Sequence, residues 1–337
     1  MFAYSHHKSE WMKTLYSRLT NLAELLRVEE ILNLIPKNYT RLVLIPHRCL
    51  HLFPLHALPL SNGKLLYERF LYGVSYAPSL QILQQLQKRD RPDFKNLFAI
   101  QNPTEDLNYT DLEVDNILNI FPTPQVLAHN QATKDKLFKN LPSIQEANYL
   151  HFSCHGLFNL NAPLDSCLLL AESKDENNNL DLSKCLTLSN LFERDFQLNN
   201  CRLVVLSACE TGLVDFTNTS DEYISLPSGF LYAGATSVVS SLWTVDDLST
   251  SFLMIKFLQN FQNGITNNKN SSVALALNQA QTWMKNATKE ELEAWVSNLP
   301  LDKTWKMHIN QYLAGLEPGS KPFESPYHWA GFIAVGK

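Results

Sequence analysis

Six short apolar runs carry the strongest constraint on how this chain can fold. They lie at 41–46, 97–100, 149–153, 203–207, 236–240 and 332–335. Several are continuous in apolar residues rather than alternating. An alternating run makes a strand with one wet face, whereas a continuous run makes a strand covered on both faces. Between them, apolar residues recur three and four positions apart at 112–120, 134–139, 247–261 and 273–284, which is helical spacing. The alternation predicts an α/β chain in three layers, with a mostly parallel central sheet and helices on both faces. Ahead of the first run, Trp11, Leu15, Leu19, Leu22, Leu26 and Leu32 predict a helical segment within residues 1–40, ended by Pro36. Two polar, turn-rich stretches, 172–179 and 263–270, predict surface loops.

Composition narrows the function classes. Of 337 residues, 45% are apolar and 18% charged, enough for a sizeable core and too few charges for a disordered chain. The net charge of −5 disfavours a domain that grips nucleic acid through its phosphates. No apolar run approaches the roughly 20 residues of a membrane span, and the N-terminus lacks a signal-peptide stretch, so a cytoplasmic protein is expected. The six cysteines, at 49, 154, 167, 185, 201 and 209, are scattered and form no C-x-x-C pair, which argues against a disulfide framework or a structural zinc site. His47, Cys49, His51 and His56 cluster, but Leu52-Phe53-Pro54-Leu55 among them reads as apolar structure rather than a metal site. Phosphate-binding glycine motifs and the serine-hydrolase elbow are absent, and no cofactor is expected.

Two strand ends carry chemistry. One runs Tyr149-Leu150-His151-Phe152-Ser153-Cys154-His155-Gly156 and the other Leu203-Val204-Val205-Leu206-Ser207-Ala208-Cys209-Glu210-Thr211-Gly212. In open α/β sheets, functional groups gather beyond the carboxyl ends of strands. If the two strands are neighbours, the His155 imidazole and the Cys209 thiol share one crevice. An imidazole can take a thiol's proton, the thiolate can attack a carbonyl carbon to form a thioester, and the imidazole can then protonate the leaving amine and activate water. The backbone N–H groups of Gly156 and Cys209 are the candidate oxyanion donors. The 54 positions between His155 and Cys209 are close to the separation of about 50 seen in one cysteine-peptidase signature. Strand alternation turns the Cys154 side chain away from that of His155 and marks it as a packed thiol.

The chain resembles the CHAT family, caspase-like domains related to caspases and separases. The similarity runs through Arg41-Leu42-Val43-Leu44-Ile45-Pro46, Leu52-Phe53-Pro54-Leu55-His56-Ala57-Leu58, Phe152-Ser153-Cys154-His155-Gly156, Leu206-Ser207-Ala208-Cys209-Glu210-Thr211-Gly212, Ser241-Leu242-Trp243-Thr244-Val245-Asp246-Asp247 and Pro326-Tyr327-His328-Trp329-Ala330-Gly331-Phe332. The resemblance implies a caspase-like fold over 41–337 as one domain, with residues 1–40 packed on it. It implies cysteine endopeptidase activity, with His155 as general base and acid and Cys209 as nucleophile. It also implies a regulatory partner, such as a tetratricopeptide-repeat protein or segment.

Asp246 and Asp247 lie beyond another strand end and are the candidates for a specificity pocket. The similar segment of separases contributes an acid to a pocket for arginine, and a carboxylate matches a guanidinium through two parallel hydrogen bonds. Either aspartate could instead cap the helix that follows. Glu210, Asp221 and Glu222 are alternative acids. The 214–223 loop lacks a processing site that would suit such a pocket, so no obligatory self-cleavage is expected. The expected function is limited cleavage of protein substrates after Arg or Lys. The alternatives are a catalytically silent scaffold or signalling module, and a cysteine hydrolase or acyltransferase acting on a small molecule.

Overall fold

The apolar runs form strands in the computed structural model, which describes residues 8–208, 211, 224–267 and 272–337. In chain order the strands are β1 (Leu42–Leu44), β2 (Val74–Tyr76), β3 (Leu97–Gln101), β4 (Gln125–Ala128), β5 (Tyr149–Ser153), β6 (Gly156–Leu157), β7 (Cys167–Leu168), β8 (Leu186–Thr187), β9 (Leu203–Ser207), β10 (Ser237–Ser241) and β11 (Phe332–Gly336). Eight of them make one sheet in the order β1-β2-β11-β10-β9-β5-β3-β4, and β6-β7-β8 make a small antiparallel one. The pairs β3–β4, β3–β5, β5–β9 and β9–β10 are parallel, and β11 runs antiparallel to β10. Every residue of β3, β5, β9, β10 and β11 is buried, so both faces of the sheet centre are covered, as continuous apolar runs require.

Contacts divide the chain into two compact units. One comprises Met1–Leu42, Pro54–Val74 and Lys256–Gly331, the other Val43–Phe53, Ser75–Ile255 and Phe332–Lys337. The second holds the sheet centre. The chain leaves β3 for β4 on one side and returns as β5 on the other side of β3. That reversal is a topological switch point, where the loops beyond the carboxyl ends part and open a crevice.

The first unit is mainly helical. The predicted N-terminal helix is two helices, Lys8–Leu25 and Val28–Leu34, because Arg27 adopts the left-handed conformation (φ 53°) between them. The Lys289–Asn298 helix opens with a capping box between Thr288 and Glu291, and Asp302 caps Lys303–Ala314. The expected loop at 263–270 begins later than its polar residues suggest, since the Asp247–Thr266 helix runs through Gly264. His56 is buried among apolar groups. Its Nε2 accepts from Gln281 Nε2 (3.1 Å), which also donates to the Trp329 carbonyl (2.9 Å). Burial pushes the His56 imidazole down to about 3, so it is neutral structure.

Gly234 sets the exit from the Leu226–Ala233 helix into β10. Its φ is +130°, and a Cβ there would come within 2.9 Å of the Leu198 backbone. Gly234→Ala is expected to lose about 2 kcal/mol or more through strain and that clash. A urea midpoint unchanged from the parent protein would contradict this account.

Candidate active site

The loop after β3 is built by one asparagine. Asn102 holds φ 43°, a conformation asparagine tolerates better than most residues. Its backbone N–H donates to the Ser153 carbonyl (2.9 Å), which extends the β3–β5 ladder by one bond. Its side chain spans the turn, with Nδ2 donating to the Leu107 carbonyl (3.0 Å) and Oδ1 accepting from the Leu107 N–H (3.2 Å). Asp106 lies within that bracket. It crosses the switch point to His155, whose Nε2 lies 2.8 Å from Asp106 Oδ1. Thr104 donates to the same oxygen. Partial burial pulls the Asp106 carboxyl up, but hydrogen bonds from Thr104 and His155 outweigh it and hold the carboxyl below its ordinary value. The His155 side chain is 29% exposed and that of Asp106 50%, so the pair lies at the mouth of the crevice.

β5 and β9 are neighbours in level register, Ser153 opposite Ser207. Their carboxyl ends therefore stop at the same height, and the residues just beyond, Cys154-His155 and Ala208, share the crevice. Thr211 Oγ1 and Ser241 Oγ both donate to the Ala208 carbonyl (3.2 Å each), which ties the exit from β9 to the end of β10. Cys209 and its backbone N–H, Glu210 and the 214–223 loop with Asp221 and Glu222 lie outside the described residues. Gly156 opens β6, which pairs antiparallel with β7. Leu169 N–H donates to the His155 carbonyl (2.9 Å), so strand alternation turns the Gly156 N–H away from β7.

Below the mouth sits a buried polar chain. Glu113, on the Thr110–Leu118 helix, is 1% exposed. Its Oε1 receives His151 Nε2 (2.7 Å), its Oε2 accepts from Ser207 Oγ (3.0 Å), and the Tyr149 hydroxyl bonds His151 Nδ1 (2.6 Å). Burial pushes the Tyr149 hydroxyl well above its ordinary value, so it stays neutral. A small pocket of about 20 Å³, room for about one water molecule, opens beside this chain. Its wall includes His155, Cys154, Glu113, Ser207, Asp247 and Thr250.

The two aspartates beyond β10 are separated by geometry. Asp246 Oδ1 accepts from the Ser249 N–H (2.9 Å) and so caps the Asp247–Thr266 helix. Asp247 faces the pocket, where its Oδ2 accepts from the Asn108 N–H (3.3 Å). Burial, reinforced by the neighbouring Asp246 and Glu113, raises the Asp247 carboxyl above its ordinary value despite that N–H and His155.

A family model described as the CHAT domain matches residues 10–337. The chain belongs to the CHAT domain family. No curated protein sequence matches it. Among solved structures, separase in the Saccharomyces cerevisiae separase–securin complex aligns at 20% identity and TM-score 0.44, over 69% of this chain and 14% of that one. Gingipain R, an Arg-specific cysteine proteinase, aligns at 8% identity and TM-score 0.42, over 79% of this chain and 55% of that one. The Porphyromonas gingivalis complex of RgpB pro- and mature domains aligns at 7% and 0.47, over 96% and 68%.

In this CHAT domain three site features escape sequence reasoning. Asp106 and Glu113 come from the β3–β4 connection, and nothing local marks them as partners of His155 and His151. Cys154 shares a pocket wall with His155 because β5 ends at Ser153, and strand alternation ends with it. Among the described residues no cluster of three His, Cys, Asp or Glu side chains could hold a metal, and no helix is long and apolar enough to cross a membrane.

A carboxyl raised on folding binds its proton more tightly in the folded chain than in the unfolded one. Above the ordinary carboxylate range it therefore opposes folding, and the penalty fades as pH falls through the unfolded value. Asp247→Asn is accordingly expected to raise the melting temperature at pH 7, with the difference shrinking toward pH 3. A lower melting temperature at pH 7 would show that Asp247 instead stabilises the domain.

Proposed function

We propose that this CHAT domain is a cysteine endopeptidase that cuts proteins at few sites, after a basic residue. The Asp106–His155 pair carries the reading. It lies beyond the carboxyl end of β5, level with the end of β9 that leads into Cys209. With Nε2 held by Asp106, Nδ1 is the imidazole nitrogen left to receive the Cys209 proton. The carboxylate favours the imidazolium that forms and keeps the ring oriented. The thiolate adds to the scissile carbonyl, and the N–H groups of Gly156 and Cys209 receive the oxyanion. Collapse expels the amine, protonated by His155, and leaves a thioester that water hydrolyses with His155 as base. Asp247 in the adjacent pocket suits an Arg or Lys side chain on the residue before the cut. A regulatory protein partner, such as a repeat protein, fits a domain whose nucleophile must be aligned with a histidine on a separate strand.

The test is a survey of new protein N-termini in lysate treated with the parent protein, Cys209→Ala or His155→Ala. Termini preceded by Arg or Lys and present with the parent protein alone are expected. Identical sets from all three proteins would leave a binding scaffold as the better reading, and cuts after Asp would refute the basic pocket. On a cleaved peptide, Asp106→Asn is expected to lower kcat by about tenfold with KM little changed. That is less than the roughly 10²–10⁴-fold worth of a general base itself, because Asp106 acts through His155. An equal rise in KM would place Asp106 in substrate binding instead.

A further inference from the structure

We propose that the groove where the two N-terminal helices meet the 59–61 segment docks a basic segment of a partner protein, which buries an apolar side chain in the groove and sets Lys or Arg against its acidic rim. Every residue of the groove lies in the first compact unit, so the proposal stands independently of the reading of the active site.

The left-handed turn at Arg27 separates the Lys8–Leu25 and Val28–Leu34 helices, and a groove of about 470 Å³ opens beside it. That volume is within the range of sites that seat a ligand or a partner's side chain. One wall is the first helix, where Tyr16, Thr20 and Glu24 recur every four residues and so share a face. The facing wall is Pro59-Leu60-Ser61. It belongs to a tight turn, in which the Leu60 N–H donates to the Lys64 carbonyl (2.7 Å) and the Gly63 N–H to the Leu60 carbonyl (3.0 Å). Gly63 holds φ +77° there, a conformation that favours glycine. Ala23 and Val28, both buried, make the floor apolar. Apolar surface continues past the groove. Glu30, Ile31 and Leu34 fall on one helical face, and Ile31 is 54% and Leu34 83% exposed. Exposed apolar side chains rimmed by charge mark a surface that a partner covers.

The rim decides the sign of the partner. Glu24, Glu29 and Glu30 line the groove against a single cation, Arg27. That cation is spent on Glu30, with Nη2 2.6 Å from Oε2 and Nε donating to Oε1 (2.7 Å). Glu29 Oε1 accepts from the Ser61 N–H (2.7 Å) and from Ser61 Oγ (2.9 Å), and these bonds hold its carboxyl below its ordinary value. Arg69 adds a weaker pull on Glu29, but it lies outside the groove wall, where it donates to the Leu32 and Ile35 carbonyls (2.7 and 3.1 Å). The groove therefore presents two carboxylates, Glu24 and Glu29, that no lining cation offsets. An acidic segment would be repelled, and a neutral one would desolvate the carboxylates without return. A lysine or arginine can lay its methylene stem along the half-exposed Tyr16 ring and hold its charge at the rim.

The test uses the full chain carrying Cys209→Ala, so that no bound peptide is cut. A random dodecapeptide library displayed on phage is selected on it, and peptides that also bind the chain with Thr20→Trp added, which fills the groove, are discarded. Glu24→Lys, at an exposed position, takes the place of Thr20→Trp if the latter does not melt cooperatively. The surviving peptides are expected to carry net positive charge and an apolar anchor. Their synthetic consensus is expected to bind Glu24→Lys at least about fivefold more weakly than the parent chain, and the same peptide with glutamate at its basic positions to prefer Glu24→Lys. No peptide that separates the parent from the filled groove, an acidic consensus, or affinity indifferent to Glu24→Lys would each overturn the proposal. A dimer in sedimentation equilibrium that Thr20→Trp dissociates would also overturn it, by assigning the groove to a second copy of the chain. Basic peptides that depend on the groove, on a protein that cleaves nothing with Cys209 restored, would support the groove and refute the peptidase.

Discussion

An acid removed from water must be compensated on the spot, and Glu113 can be compensated only where a helix meets two strand ends. It bonds His151 in β5 and Ser207 at the last position of β9, so one side chain sets the Thr110–Leu118 helix against both strands. Leaving a buried polar group without its hydrogen-bond partner costs about 1–3 kcal/mol. The helix is therefore not free to slide along the sheet. His151 lies four positions before His155, and Ser207 two before Cys209. The contact that compensates the acid also fixes the height at which the two chains leave the sheet.

This explains which parts of the molecule could be read from the sequence. The strands are legible because coverage on both faces leaves a local trace, an unbroken apolar run. The proximity of the His155 and Ala208 ends follows once β5 and β9 are neighbours, which sequence reasoning could pose only as a condition. Asp106 and Glu113 leave no comparable trace. Asp106 sits among turn residues, and Glu113 on a helix whose polar positions look like an ordinary wet face. Their roles depend on contacts 49 and 38 residues distant. Arg27 shows the same limit in the backbone, since its left-handed conformation splits a helix whose apolar spacing continues without interruption.

Asp246 and Asp247 are adjacent and chemically equivalent, so sequence alone leaves both as candidates for capping or for the pocket. The helix start separates them. Asp246 precedes the first turn and can reach back to the Ser249 N–H, whereas Asp247 is the first helical residue and shares a face with Thr250 and Ser251. One carboxyl is thereby spent on the helix and the other left facing an enclosed space. The capping bond also defines the angle at which the helix leaves, so the capping aspartate positions the one that faces the pocket.

The interior of the pocket works against the stability of the fold that holds it. Asp247 is desolvated beside two other acids, and Thr250 buries a hydroxyl that nothing among the described residues satisfies. Neither arrangement would survive as a packing solution, because a leucine or valine at either position would avoid the cost. Both persist beside a sheet whose central strands are buried along their whole length, which supplies the surplus that such a site consumes.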